Sequence, residues 1–172
     1  MMFITHAVIA LMFYFLFMAL GVPFTLKADI VATVVGALIP DIDHTKSFIS
    51  RANLLFLGAS KAISQTGHRG ITHSMVGLAV FSILASLVVF YYNLDSLVIF
   101  AFMLGYFSHL AADSLNPSGV RWLQPFNNKF VMKIDVGILG VRLAIPSGGR
   151  GEKIIFFISS ILMVAFFYIA CY

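Results

Sequence analysis

The sequence predicts an all-α polytopic membrane protein. It should have about five transmembrane helices, metal-ligand motifs at the cytoplasmic helix ends, and a small loop/β-hairpin region before the last helix. Three observations carry this expectation. Of 172 residues, 60% are hydrophobic and 10% charged, with mean hydropathy +0.99, whereas an ordinary soluble domain carries about 25% charged residues. The apolar residues gather into runs approaching the roughly 20 that cross a bilayer. The histidines fall at the ends of those runs or in the connecting loop.

Taken in order, the runs give spans at about residues 5–22, 24–40, 73–92, 96–115 and 154–172 of a single membrane-embedded domain, 1–172. No Lys or Arg precedes the first run, so the positive region of a signal peptide is missing and the segment reads as a retained helix. The second run carries Lys27 and Asp29 near its start and reads as a short span, with Lys27 reaching the interface. Residues 54–63 suggest a short interfacial helix. Asn93-Leu94-Asp95-Ser96 breaks the chain between the third and fourth spans. Asn116-Pro117-Ser118-Gly119 is a turn by composition. Residues 129–136 and 140–145 alternate as a β-hairpin around Gly137, and residues 146–151 form a flexible link to the last span.

The basic residues give the orientation. Lys46, Arg51, Lys61 and Arg69 lie between the second and third spans, and Arg121, Lys129, Lys133, Arg142, Arg150 and Lys153 between the fourth and fifth. With five crossings both loops share one side, which the positive-inside rule makes the cytoplasm. Two hairpins then bring polar residues to one depth: His73 and Asp113 about the Leu94 turn, His6 and Asp41 about Thr25. No basic tract interleaves with aromatics, so no nucleic-acid partner is expected.

Cys171 is the only cysteine, so any metal must be held by nitrogen and oxygen. His109 and Asp113, four apart, share a helix face, and an ionisable pair in a membrane helix is costly without partners. Thr72 is a plausible N-cap for the third span, placing His73 in its first turn and His68 in the loop before it. Arg69 offers a planar fork to a phosphate or carboxylate. Asp41 and Asp43 repel one another unless a divalent cation joins them. His44 reads equally as a ligand or an outer partner. The set His6, Asp41, Asp43, His68, His73, His109 and Asp113 exceeds one tetrahedral ion and suits two. Mixed imidazole and carboxylate favours zinc, manganese or iron over calcium.

At these residues the chain resembles the YdjM family of bacterial membrane-bound, predicted metal-dependent hydrolases. The match lies in Thr5-His6, residues 36–44 ending Pro40-Asp41-Ile42-Asp43-His44, residues 68–74 with His68-Arg69-Gly70 and Thr72-His73-Ser74, residues 105–113 with Ser108-His109 and Asp113, and Asn116-Pro117-Ser118-Gly119-Val120 with Pro125-Phe126. The resemblance implies a bacterial inner-membrane location and hydrolysis. The His68/His73 spacing and the His109/Asp113 pair are also similar to ligand motifs of zinc-dependent phospholipase C and related nucleases.

The expectation is therefore a multi-pass inner-membrane hydrolase of a phosphoester such as a phospholipid, using metal-activated water, with its site facing the cytoplasm. Asp113, Arg69 and Asp43 are its expected catalytic residues, and Arg69, Ser74 and Asn116 its substrate contacts. Membrane lipids and a small-molecule or lipid phosphoester are the expected partners. A membrane transporter or metal-handling protein using the same His/Asp site is the main rival. A haem-binding carrier fits less well, because aspartates accompany the histidines.

Overall fold

The computed structural model describes residues 1–25, 27–43, 70–129, 131, 136–138, 141–143 and 145–172. Helix α1 (Phe3–Ala19) is followed by α2 (Ala28–Leu38), which tightens into a 3-10 turn, Ile39–Asp43. A second 3-10 turn, Ile71–His73, leads into α3 (Met75–Tyr91). Then come α4 (Leu97–Ser114), strands β1 (Val136–Ile138) and β2 (Val141–Leu143), and α5 (Arg150–Cys171). Helices α4 and α5 are long and apolar enough to cross a membrane. Helices α1 and α3, 17 residues each, are shorter apolar helices.

Helix α4 is the hub, packed against α2, α1 and α3, while α5 packs on α1. The α2–α4 crossing is close because glycine stands on both sides of it. A Cβ on Gly36 would collide with the Phe102 carbonyl, and one on Gly105 with the Thr33 carbonyl. Small residues let helix backbones approach in this way inside membranes. Around the crossing Leu78, Phe102, Tyr106, Leu110 and Val120 form one buried cluster. Tyr14, Phe15, Phe24 and Ala101 form another, nearer the opposite end of α1 from His6. By contrast α5 buries little, and Ile154, Phe157, Ile161, Val164 and Ile169 are all more than half exposed. An apolar face of that extent suits hydrocarbon and not water.

Three local expectations are corrected. Helix α2 covers 11 residues, about 16 Å at 1.5 Å each, and not the whole of 24–40. Its start is delayed because the Asp29 carboxylate accepts the Thr25 N–H (2.5 Å) and hydroxyl (3.0 Å), while Tyr14 donates to the Thr25 carbonyl (2.7 Å). The N-cap of α3 is Ser74, whose hydroxyl accepts from the Gly77 N–H (3.2 Å), and not Thr72. Gly137 lies inside β1 opposite Arg142, so the chain does not reverse there. The segment before α5 is also anchored: the Gly148 N–H donates to Glu152. The interfacial helix expected at 54–63 lies outside the described residues.

Candidate metal centre

The five converging side chains come from four elements. His6 stands in the first turn of α1, Asp41 in the 3-10 turn after α2, His73 at the end of the turn before α3, and His109 with Asp113 on one face of α4. Tyr106 fixes the approach of His73 to α4 by donating to the Thr72 carbonyl (2.5 Å). Trp122 donates to the Ser114 hydroxyl (2.9 Å) and accepts the Met75 N–H on its carbonyl (2.9 Å), closing the same end of the bundle.

His109 sets the chemistry. Its Nδ1 lies 2.7 Å from the Ala37 carbonyl. A carbonyl only accepts, so Nδ1 carries the proton and Nε2 presents its lone pair. That Nε2 faces Nε2 of His73 at 3.3 Å. Asp41 Oδ1 lies 3.7 Å from the His73 nitrogen and 3.8 Å from that of His109. Asp113 Oδ2 lies 3.8 and 4.0 Å from the same two atoms. Donors held about 2.0–2.2 Å from a tetrahedral zinc stand roughly 3.3–3.6 Å from one another, so the two imidazole nitrogens have ligand spacing and each carboxylate oxygen stands slightly beyond it.

His6 gives a second, independent sign. It is 1% exposed and stacks on His109 with ring centroids 3.8 Å apart and planes 17° apart. Neither of its ring nitrogens makes a hydrogen bond, although Nε2 lies 3.3 Å from Asp113 Oδ1. A buried imidazole without hydrogen bonds is expensive, and a cation is a natural partner. Asp113 Oδ1 also accepts from the Met1 amino group at 3.0 Å. Two ligand triads exist among the described residues, His6/His109/Asp113 and Asp41/His73/His109. They share His109, whose single available nitrogen can serve one ion. Burial pushes the Asp41 carboxyl up, but the His73 imidazole beside it and the other histidines around it outweigh burial and hold the group well below the usual carboxylate range.

The remaining expected residues stand as follows. Asp43 closes the 3-10 turn that carries Asp41. His44, His68 and Arg69 lie outside the described residues. Ser74 is fully buried, its hydroxyl donating to the Ile71 carbonyl (2.6 Å) while capping α3. Asn116 donates to the Ser147 hydroxyl (3.1 Å), joining the end of α4 to the approach of α5. Glu152 was not anticipated. It is the chain's one glutamate, fully buried, and accepts N–H bonds from Met2 and Gly148 at 2.5 Å each. A lone carboxylate at the head of an apolar run was the signal for it.

Comparison with known proteins places the sequence in a family. The model described as YdjM inner membrane protein matches residues 1–172. Over 118 residues the chain is 39% identical to the inner membrane protein YdjM of Escherichia coli K12 and to that of Shigella flexneri, covering 65% of this chain and 57% of each relative. It is 38% identical over 92 residues to an uncharacterized protein, YvsG, of Bacillus subtilis 168, covering 53% of both. The chain thus spans little more than half the length of these relatives. No solved structure matches it. Whole-chain agreement with the family model, together with the identity to its named members, means that the chain belongs to the YdjM family of inner membrane proteins.

Proposed function

We propose that this inner-membrane protein is a multi-pass, metal-dependent hydrolase of phosphoesters, with a phospholipid-like substrate and a site on the cytoplasmic side. The supporting observation is the meeting of His73, His109, Asp41 and Asp113 from three separate segments around a point that His6 overlooks, its Nε2 3.3 Å from Asp113. In this reading His73, His109, Asp41 and Asp113 hold one divalent ion, zinc by preference and manganese or iron otherwise. A second ion would use the His6 side of Asp113 together with Asp43 and His68. A bound divalent ion polarises a phosphoryl oxygen and lowers the pKa of water. The protein's own part is orientation and charge. Ala37 keeps His109 in one tautomer, Asp41 and Asp113 balance the cation, and Arg69 receives the substrate's anionic oxygens.

The rival reading, transport through the bundle, lacks a polar route along α3. Ser86 returns its hydroxyl to the Ser82 carbonyl (2.8 Å), and Ser82 is buried.

Elemental analysis of the purified protein tests the site. At least one metal per chain in the wild type, lost in both Asp113→Ala and His73→Ala, is expected. Less than one, unmoved by either change, removes the proposal. Hydrolysis of a lipid phosphoester panel, compared between wild type and Asp113→Ala, then tests the reaction.

A further inference from the structure

Helices α2 and α3 both pack on α4 without packing substantially on each other. The gap between them is a cavity of about 800 Å³. Val31, Val35 and Ile39 form one wall, at successive i, i+4 positions of α2 and its turn. Leu84 and Val88 of α3 form the other, and Phe102 of α4 the floor. Every lining residue is apolar except Lys27 at the far end. The near end is Ile39, two residues before Asp41 in the same 3-10 turn.

Dimensions decide what can lie there. From Lys27 to Ile39 is 12 residues, about 18 Å at the helical rise, against about 15 Å for one leaflet of a roughly 30 Å hydrocarbon core. The groove ends two residues from Asp41, so its occupant has one end beside the candidate site. The apolar walls offer no hydrogen-bond partners to a polar ligand. A hydrocarbon chain satisfies all three conditions.

We propose that this groove seats an acyl chain of the lipid phosphoester substrate, with the phosphate at the Asp41 end and the chain running toward Lys27. The proposal rests on the hydrolase reading for the identity of the headgroup. The groove makes Val35, Leu84, Ala85 and Val88 determinants of chain selection, and it explains how a site at headgroup depth holds one lipid against the surrounding bilayer.

The test uses the full chain in phosphatidylcholine nanodiscs with a phosphatidic acid carrying a diazirine midway along one acyl chain. Photolysis should label peptides containing residues 31–39 and 81–88 at least fivefold over those of α5. Ala85→Trp and Val88→Trp, which fill the groove, should each cut that labelling at least fivefold. Val164→Trp, on the exposed face of α5, should leave it unchanged. Both groove variants should lose turnover of the same lipid about tenfold, yet cleave p-nitrophenyl phosphate within twofold of wild type and retain their metal. Labelling spread evenly over α3 and α5 and indifferent to Ala85→Trp would mean ordinary boundary lipid and overturn the proposal. Crosslinks between two copies of the chain would overturn it as well. A wild type that cleaves neither substrate, yet shows variant-sensitive groove labelling, would leave the chain site standing and dismiss the hydrolase reading.

Discussion

The ring of His6 lies flat on the ring of His109, centroids 3.8 Å apart, although 102 positions separate them in the chain. The stack joins α1 to α4 and leaves the His6 nitrogens without hydrogen bonds. Binding a cation should therefore stabilise the fold. Ligand at about 1,000 times its Kd contributes about 4 kcal/mol. Treatment with a chelator should lower the melting temperature by several degrees, and added zinc should restore it. A melting curve indifferent to both would speak against a resident ion.

Gly36 and Gly105 should tolerate no side chain. Their Cβ positions fall on backbone atoms, which cannot swing aside, and forced overpacking costs about 1–3 kcal/mol. Gly36→Ala and Gly105→Ala should each lower thermal stability and, by moving Asp41 away from His109, also weaken metal retention. Gly151→Ala meets only ordinary contacts with Ile145, 3.4–3.8 Å away, and should behave as wild type in both measurements.

Glu152 ties the head of α5 to the start of α1 through the Met2 and Gly148 N–H groups. Glu152→Ala removes the acceptor of both N–H groups, and a hydrogen bond to a charged group is worth about 1.5–3 kcal/mol. Glu152→Gln keeps a carbonyl acceptor and should recover part of the loss. Thermal melts of the pair distinguish a hydrogen-bonding role from mere volume. Equal destabilisation would contradict it.

Five crossings would put the two ends of the chain on opposite sides of the membrane. A reporter fused after Tyr172 should then report the non-cytoplasmic side, while one inserted in the basic loop near residue 55 should report the cytoplasm. A cytoplasmic signal from both positions would contradict five spans.

What the sequence disclosed depended on the range of the interaction involved. The His109–Asp113 pairing follows from helical spacing alone. The apolar runs found all five α-helices among the described residues, because hydropathy is a property of local composition. The bounds of α2 were hidden, since its start is decided by Asp29 reaching back to Thr25 and by Tyr14 of another helix. The cap at Ser74 was hidden for a related reason: Thr72 has the same chemistry, and the choice turns on a 3-10 turn that Tyr106 pins from α4. Glu152 acts through residues some 150 positions away, and no local pattern reports that.

One bond reaches further than its length. The Ala37 carbonyl, at the end of α2, would ordinarily seek an N–H three or four residues onward. Three residues onward stands Pro40, which has none. That vacancy is where His109 places its Nδ1 proton. An absent hydrogen on one segment thereby decides which nitrogen is basic on another. Restoring it with Pro40→Ala would set a backbone amide in competition with an imidazole, so the proline bears on ligand protonation through a hydrogen it lacks.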